Sequence, residues 1–208
     1  LLYCCSFSTL FQEWQATEEA TLVRKSFENV FLLPMPSSEA EVSIRLYDFH
    51  NRIADSLVFS VNPSDILIRP VDKRRLPVTK YIGGSGDPRE RIDVAIVAEG
   101  YTQSQRDLFF RDAEEAVDAI LSHEPFKSMG DRFNFLAVAL ESEDSGVSVP
   151  SSGEWKNTAL LSQFDTFNMP RYLTTLRLRN LAEKLSGVQY EHIIILANTD
   201  TYGGGGIY

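Results

Sequence analysis

Val94-Ala95-Ile96-Val97-Ala98 runs directly into Glu99-Gly100-Tyr101-Thr102. Consecutive small and branched apolar residues, with no polar residue alternating among them, are the pattern of a strand buried on both faces. Glu99-Gly100-Tyr101 turns the chain. Thr102 is placed to cap a helix predicted from about 103 to 121. In that helix Phe109, Ala113, Ala116 and Ile120 recur at spacings of three and four and share a face. Downstream, 133–140 and 192–196 read as further apolar strands, with a helix predicted over 170–185 between them. Strand, helix, strand, helix, strand is the order of an α/β layer.

Upstream of this block the pattern changes. Val42, Ile44 and Leu46 alternate with Ser43, Arg45 and Tyr47, a period of two that marks a half-buried strand. Residues 27–33 and 56–61 read as strands as well, with Pro34 and Pro36 after the first and a turn at Asp48-Phe49-His50-Asn51. Short strands joined by polar turns predict a small antiparallel, sandwich-like β domain. The interval 78–92, with Gly83-Gly84-Ser85-Gly86-Asp87-Pro88, reads as a linker. The organisation expected is α+β: a partial β-rich accessory domain over 1–80, a linker over 81–91 and an α/β domain over 92–208.

Composition bounds the function. The 208 residues are 43% hydrophobic and 24% charged, enough for a sizeable folded core. A net charge of -9, with Asp72-Lys73-Arg74-Arg75 as the densest basic run, argues against nucleic-acid or anionic-membrane partners. No apolar run reaches the roughly 18 residues of a transmembrane span. Cys4 and Cys5 are adjacent, which disfavours a bond between them and leaves no disulfide framework or thiolate cage. The chain begins Leu1-Leu2-Tyr3 and ends in Gly203-Gly204-Gly205-Gly206-Ile207-Tyr208, and both ends are expected to be internal to a longer protein.

The residues able to carry chemistry are few. The three histidines, His50, His123 and His192, include no pair four apart, the spacing that lets one helix face hold a metal. His123-Glu124 is followed by Pro125, which ends a helix, so His123 reads as a helix C-terminal residue. Neither a catalytic residue nor a metal ligand is therefore expected within this chain. Glu141, Glu143 and Asp144, followed by Ser145-Gly146, cluster after the second apolar strand, where α/β sheets place binding crevices. They read either as a hard-cation loop or as a solvated acidic loop. Ser145 and Asp165 do not make a serine hydrolase, since no Gly-x-Ser-x-Gly turn is present. Gly203 to Gly206 has three readings: a phosphate cradle, a loose tail, or an edge stripped of side chains so that an extended ligand pairs with its backbone.

Several blocks together resemble the IgA-peptidase-like zinc metallopeptidases. They are Ile92 to Thr102, Glu124-Pro125-Phe126-Lys127, Phe133-Asn134-Phe135, Asp144-Ser145-Gly146-Val147, Thr166-Phe167 with Arg171-Tyr172, and Ile194-Ile195-Leu196-Ala197-Asn198-Thr199 running into Tyr202 and the glycines. Phe7 to Gln15 with Thr17-Glu18-Glu19-Ala20 resembles the latter part of that family's N-terminal β domain. The resemblance implies a metzincin-like α/β domain truncated before its metal site, the zinc and general base coming from a His-Glu-x-x-His segment of the full-length parent. No cofactor is expected in this fragment. Tyr202, Gly203, Gly204, Gly205 and Gly206 would then bind a peptide or protein substrate. Glu141, Asp144, Ser145, Gly146 and Asn198 would be cleft loops, and the missing C-terminal half of the domain would be the packing partner. The resemblance further implies a bacterial protein that is secreted or on the cell surface, active as an endopeptidase only in the parent. The alternative is a non-enzymatic protein- or glycan-binding module on the same scaffold, using an exposed aromatic such as Phe49 or Trp14.

Overall fold

The computed structural model describes residues 4–7, 11–72, 74 and 76–206. The sequence stretches at 1–3, 8–10 and 207–208, and Lys73 and Arg75 of the basic run, lie outside the described residues. The chain is α+β, with a small antiparallel sheet and a mixed sheet, as the patterning predicts. It divides into two compact units, one formed by Leu1–Ser6 with Phe31–Asp72 and the other by Phe7–Val30 with Lys73–Tyr208.

The smaller unit contains one antiparallel hairpin of β1 (Ala40–Tyr47) and β2 (Ile53–Val61). The register sets Val42 opposite Phe59 and Ile44 opposite Leu57, which gathers the alternating apolar residues on one face. The turn forms where Asp48 predicts it. Its carboxylate accepts the backbone N–H groups of His50 at 2.8 Å and Arg52 at 2.9 Å. Those bonds, Arg52 first, hold the Asp48 carboxyl below its ordinary range. Residues 27–33 take no strand. Phe27, in the larger unit, instead packs edge-on against Trp14 and Phe167, at centroid distances of 5.6 and 6.0 Å.

In the larger unit, two short helices, α1 (Phe11–Trp14) and α2 (Glu19–Leu22), precede β3 (Val78–Gly83) and β4 (Ile92–Glu99). A 3-10 turn leads into α3 (Arg106–Leu121); β5 (Phe133–Ala139), α4 (Leu178–Lys184) and β6 (His192–Ala197) follow. The strand order is β3-β5-β4-β6, with β4 parallel to both neighbours and β3 antiparallel at the edge. Part of the 78–92 interval read as a linker is thus a strand: Val78 to Tyr81 pair with β5.

β4 is covered on both sides. Val94, Ile96 and Ala98 meet Phe109, Ala113 and Val117 of α3, while Ala95 and Val97 meet Val138, Leu160 and Leu185 on the other face. Strand geometry alternates successive side chains between faces, so in a strand packed on both, the middle positions 94–98 are all apolar, with polar Asp93 and Glu99 towards its ends. α3 begins as predicted, with the Gln105 side chain accepting the Thr102 backbone N–H at 3.1 Å. Val117, rather than Ala116, is its third buried contact.

The helix predicted over 170–185 is shorter. Gln163 and Thr174 exchange backbone hydrogen bonds of 3.0 and 3.2 Å, and the Thr175 hydroxyl donates to the Leu160 carbonyl at 2.6 Å. These partners, with the β-branched preference of both threonines, keep the segment out of the helix until Leu178. Phe109 is fully buried and meets Tyr101 edge-on at 5.3 Å. Phe109→Ala should lower unfolding free energy in urea titrations by about 3–5 kcal/mol.

Candidate functional site

The carboxyl end of β4 lies between two parallel neighbours, where crossover loops diverge and α/β sheets open a crevice. Here Glu99 is fully buried. Its Oε1 accepts the Thr158 hydroxyl at 2.7 Å and the Ser162 backbone N–H at 2.8 Å, and its Oε2 accepts the Leu160 backbone N–H at 2.8 Å. One side chain thus fastens residues 158–162 beneath the sheet end. The Glu99 carbonyl accepts the backbone N–H of Asn198 at 2.9 Å. The sequence reading passed over Glu99 as a turn residue. The available signal was an acidic residue closing a strand otherwise apolar throughout, since a buried polar group is costly unless bonded.

Gly100 follows with φ +74°, and a β-carbon there would stand 2.3 Å from the Gly146 carbonyl oxygen. Its carbonyl accepts the Gly146 N–H and the Asn198 side-chain amide, each at 2.9 Å. Ser142, also missed in the sequence, accepts the N–H groups of Gly100 at 3.1 Å and Ala159 at 2.9 Å. Tyr101 donates its hydroxyl to Asp112 at 3.0 Å. Burial first, and Asp112 second, push its phenol well above the ordinary tyrosine value.

Ser145, Gly146 and Asn198 are brought together at this point, the Asn198 amide also donating to the Ser145 hydroxyl at 3.1 Å. Asp144 lies on the same loop and accepts the Asn157 backbone N–H at 2.7 Å, while Glu143 accepts the Asn157 amide at 2.6 Å. Glu141 turns away to pair with Arg106 at the start of α3. The acidic loop is therefore spent on amides and one guanidinium.

Tyr202 is exposed, and the glycines after it take no regular secondary structure. A β-carbon at Gly203 would stand 2.4 Å from Phe164 and 2.8 Å from the Arg171 carbonyl oxygen; one at Gly205 would stand 2.4 Å from the Thr174 methyl. Gly204 has nothing within 4 Å on its side-chain side and donates its N–H to Arg171 at 3.0 Å. Alternate glycines thus press on the protein's own 164 and 171–174 segments.

His50, His123 and His192 are exposed, and His123 Nδ1 lies 2.9 Å from the Ala119 carbonyl at the end of α3. Among the described residues, no group of three or more His, Cys, Asp or Glu is arranged to hold a metal ion. The residues present do not fit a resident zinc. A separate cavity of about 730 Å³ is lined by Glu19, Lys25, Ser151, Asp165, Phe167 and Asn168 among others. The last three all have positive φ, 58°, 55° and 61°. Trp14 first, and Lys25 second, hold the Glu19 carboxyl below its ordinary range.

A parallel-centred sheet with its loops gathered at the carboxyl end of the middle strand defines an α/β layer domain. The IgA Peptidase M64 family model matches residues 81–208, and that of the Peptidase M64 N-terminus matches residues 1–58. The chain belongs to the IgA Peptidase M64 family and is peptidase-derived. No curated protein matches it.

Gly100→Ala should lower thermal stability by more than Gly153→Ala. Both glycines have φ +74°, but a β-carbon at Gly153 meets nothing within 4 Å. Gly153→Ala then carries only the left-handed backbone cost of about 1–2 kcal/mol. The raised Tyr101 phenol gives a second expectation. Its contribution is complete below the unfolded tyrosine value, about 10, and is lost as pH rises through the higher folded value. Stability measured against pH should fall on the alkaline side, and Tyr101→Phe should flatten that fall.

Proposed function

We propose that this chain forms part of a secreted or surface-exposed zinc-dependent endopeptidase, whose metal-binding segment lies outside these 208 residues. Tyr202 and Gly203 to Gly206 line the backbone of a peptide or protein substrate. Asp144, Ser145, Gly146 and Asn198 border the cleft, with Glu141 at its margin. The observation that carries this reading is the family match running through a glycine segment anchored on Arg171 and packed against Phe164 and Thr174. Side chains at Gly203 and Gly205 would push the segment off its support, and the absence of one at Gly204 leaves room for another backbone to approach. On this reading the chain alone is inactive toward peptides, since the metal-binding segment lies outside it; among the described residues no group of three or more His, Cys, Asp or Glu is arranged to hold a metal ion. The rest of the catalytic domain is its packing partner, and nucleic acid is not a partner. Among the described residues no helix is long and apolar enough to cross a membrane.

A second reading, a non-enzymatic protein- or glycan-binding module, draws on Phe49, 90% exposed in the β1–β2 turn. Trp14 favours it less, since its indole N–H is tied to Glu19 at 2.9 Å.

The locus sequenced past Tyr208 should encode a His-Glu-x-x-His segment. The full product should hold about one zinc per chain by elemental analysis and digest casein or immunoglobulin A, while the 208 residues alone should do neither. A full product with no histidine pair and no zinc would sink the peptidase reading and leave the binding module.

A further inference from the structure

The glycine run is held from two directions, and both lead to Glu99. At its root, the Asn198 backbone N–H is bound by the Glu99 carbonyl at 2.9 Å. Along its length, Gly203 and Gly205 lie against Phe164 and Thr174. Gln163 exchanges two backbone bonds with Thr174, and the preceding residue, Ser162, has its N–H bound to the Glu99 carboxyl at 2.8 Å. We infer that Glu99 is a positioning residue for the glycine run, fixing the height of the segment 160–164 and, through it, the support on which Gly203 and Gly205 rest. The kinetic part of this inference rests on the peptidase reading; the structural part does not.

The chemistry of the clamp makes the idea sharp. Two of the three donors on the carboxyl are backbone N–H groups, from Leu160 and Ser162, and they approach different oxygens. A carboxamide has one acceptor oxygen, so in either orientation its NH2 group faces a backbone N–H. Glu99→Gln therefore keeps the shape and volume of the side chain while reversing the polarity of one contact. Thr158→Val is a milder companion, removing the hydroxyl donor and leaving both backbone bonds.

The test uses the full-length protein, with hydrogen–deuterium exchange read by peptide and labelled casein as the kinetic probe. In Glu99→Gln, exchange should quicken in peptides covering 158–164 and 199–206 and stay unchanged over α3. The KM for casein should rise about tenfold with kcat within about twofold, the signature of a weakened binding edge. Thr158→Val should shift the same peptides by less, and it decides the question if Glu99→Gln does not fold. Faster exchange confined to 158–164, or spread evenly through the domain, overturns the inference and leaves Glu99 a purely structural residue. If the wild type cleaves neither casein nor immunoglobulin A and holds no zinc, the peptidase reading fails on its own and the exchange pattern still decides the role of Glu99.

Discussion

A fully buried carboxyl group at the end of the central strand holds this domain's upper layer in place. Among the described residues Glu99 has no ion-pair partner; its bonds go to two backbone N–H groups and one hydroxyl. Backbone donors fix position more tightly than long side chains do, because they carry no rotamer freedom of their own. The loop they belong to closes one face of the sheet, with Ala159 and Leu160 packed on Ala95, Val97 and Val138. The polar clamp and the apolar lid are thus one device: the hydrogen bonds set where Leu160 sits, and burial of Leu160 keeps water from the bonds.

The next residues extend the arrangement. Gly100 lets the Gly146 backbone approach to hydrogen-bond distance, and the Asn198 side chain closes the same corner from the β6 side. Loops following three different strands therefore converge on Glu99, Gly100 and Tyr101. That convergence follows from topology. β5 and β6 flank β4 on opposite sides and run parallel to it, so the chain leaving each of the three strands emerges at the same end of the sheet.

The glycine run shows how a composition signal acquires meaning. Four successive glycines admit a phosphate cradle, a tail or a ligand-pairing edge by composition, the cradle least because no Lys-Ser or Lys-Thr follows. Their placement separates alternate positions, with Gly203 and Gly205 against Phe164, Arg171 and Thr174, and Gly204 open. Half of the requirement for glycine thus comes from the protein's own packing. The acidic loop went differently: Glu141, Glu143 and Asp144 read as a candidate cation loop, yet their oxygens engage Arg106 and Asn157, partners 13 or more residues away in sequence.

By itself the sequence determined β4, most of α3 and, to within a residue, the strands read at 133–140 and 192–196, because continuous apolar runs and a 3.6-residue period are written locally in residue type. It also carried the family resemblance, as ordered blocks around Glu99, Ser145 and the glycines. Only the tertiary structure decided that residues 78–83 join the sheet and that 171–175 stay out of the helix. Glu99's role as a clamp, and not a surface turn, was decided there too. Each of these depends on hydrogen-bond partners far along the chain, such as Thr174 for Gln163 and Leu160 for Glu99, and no local pattern of residues encodes a partner that distant.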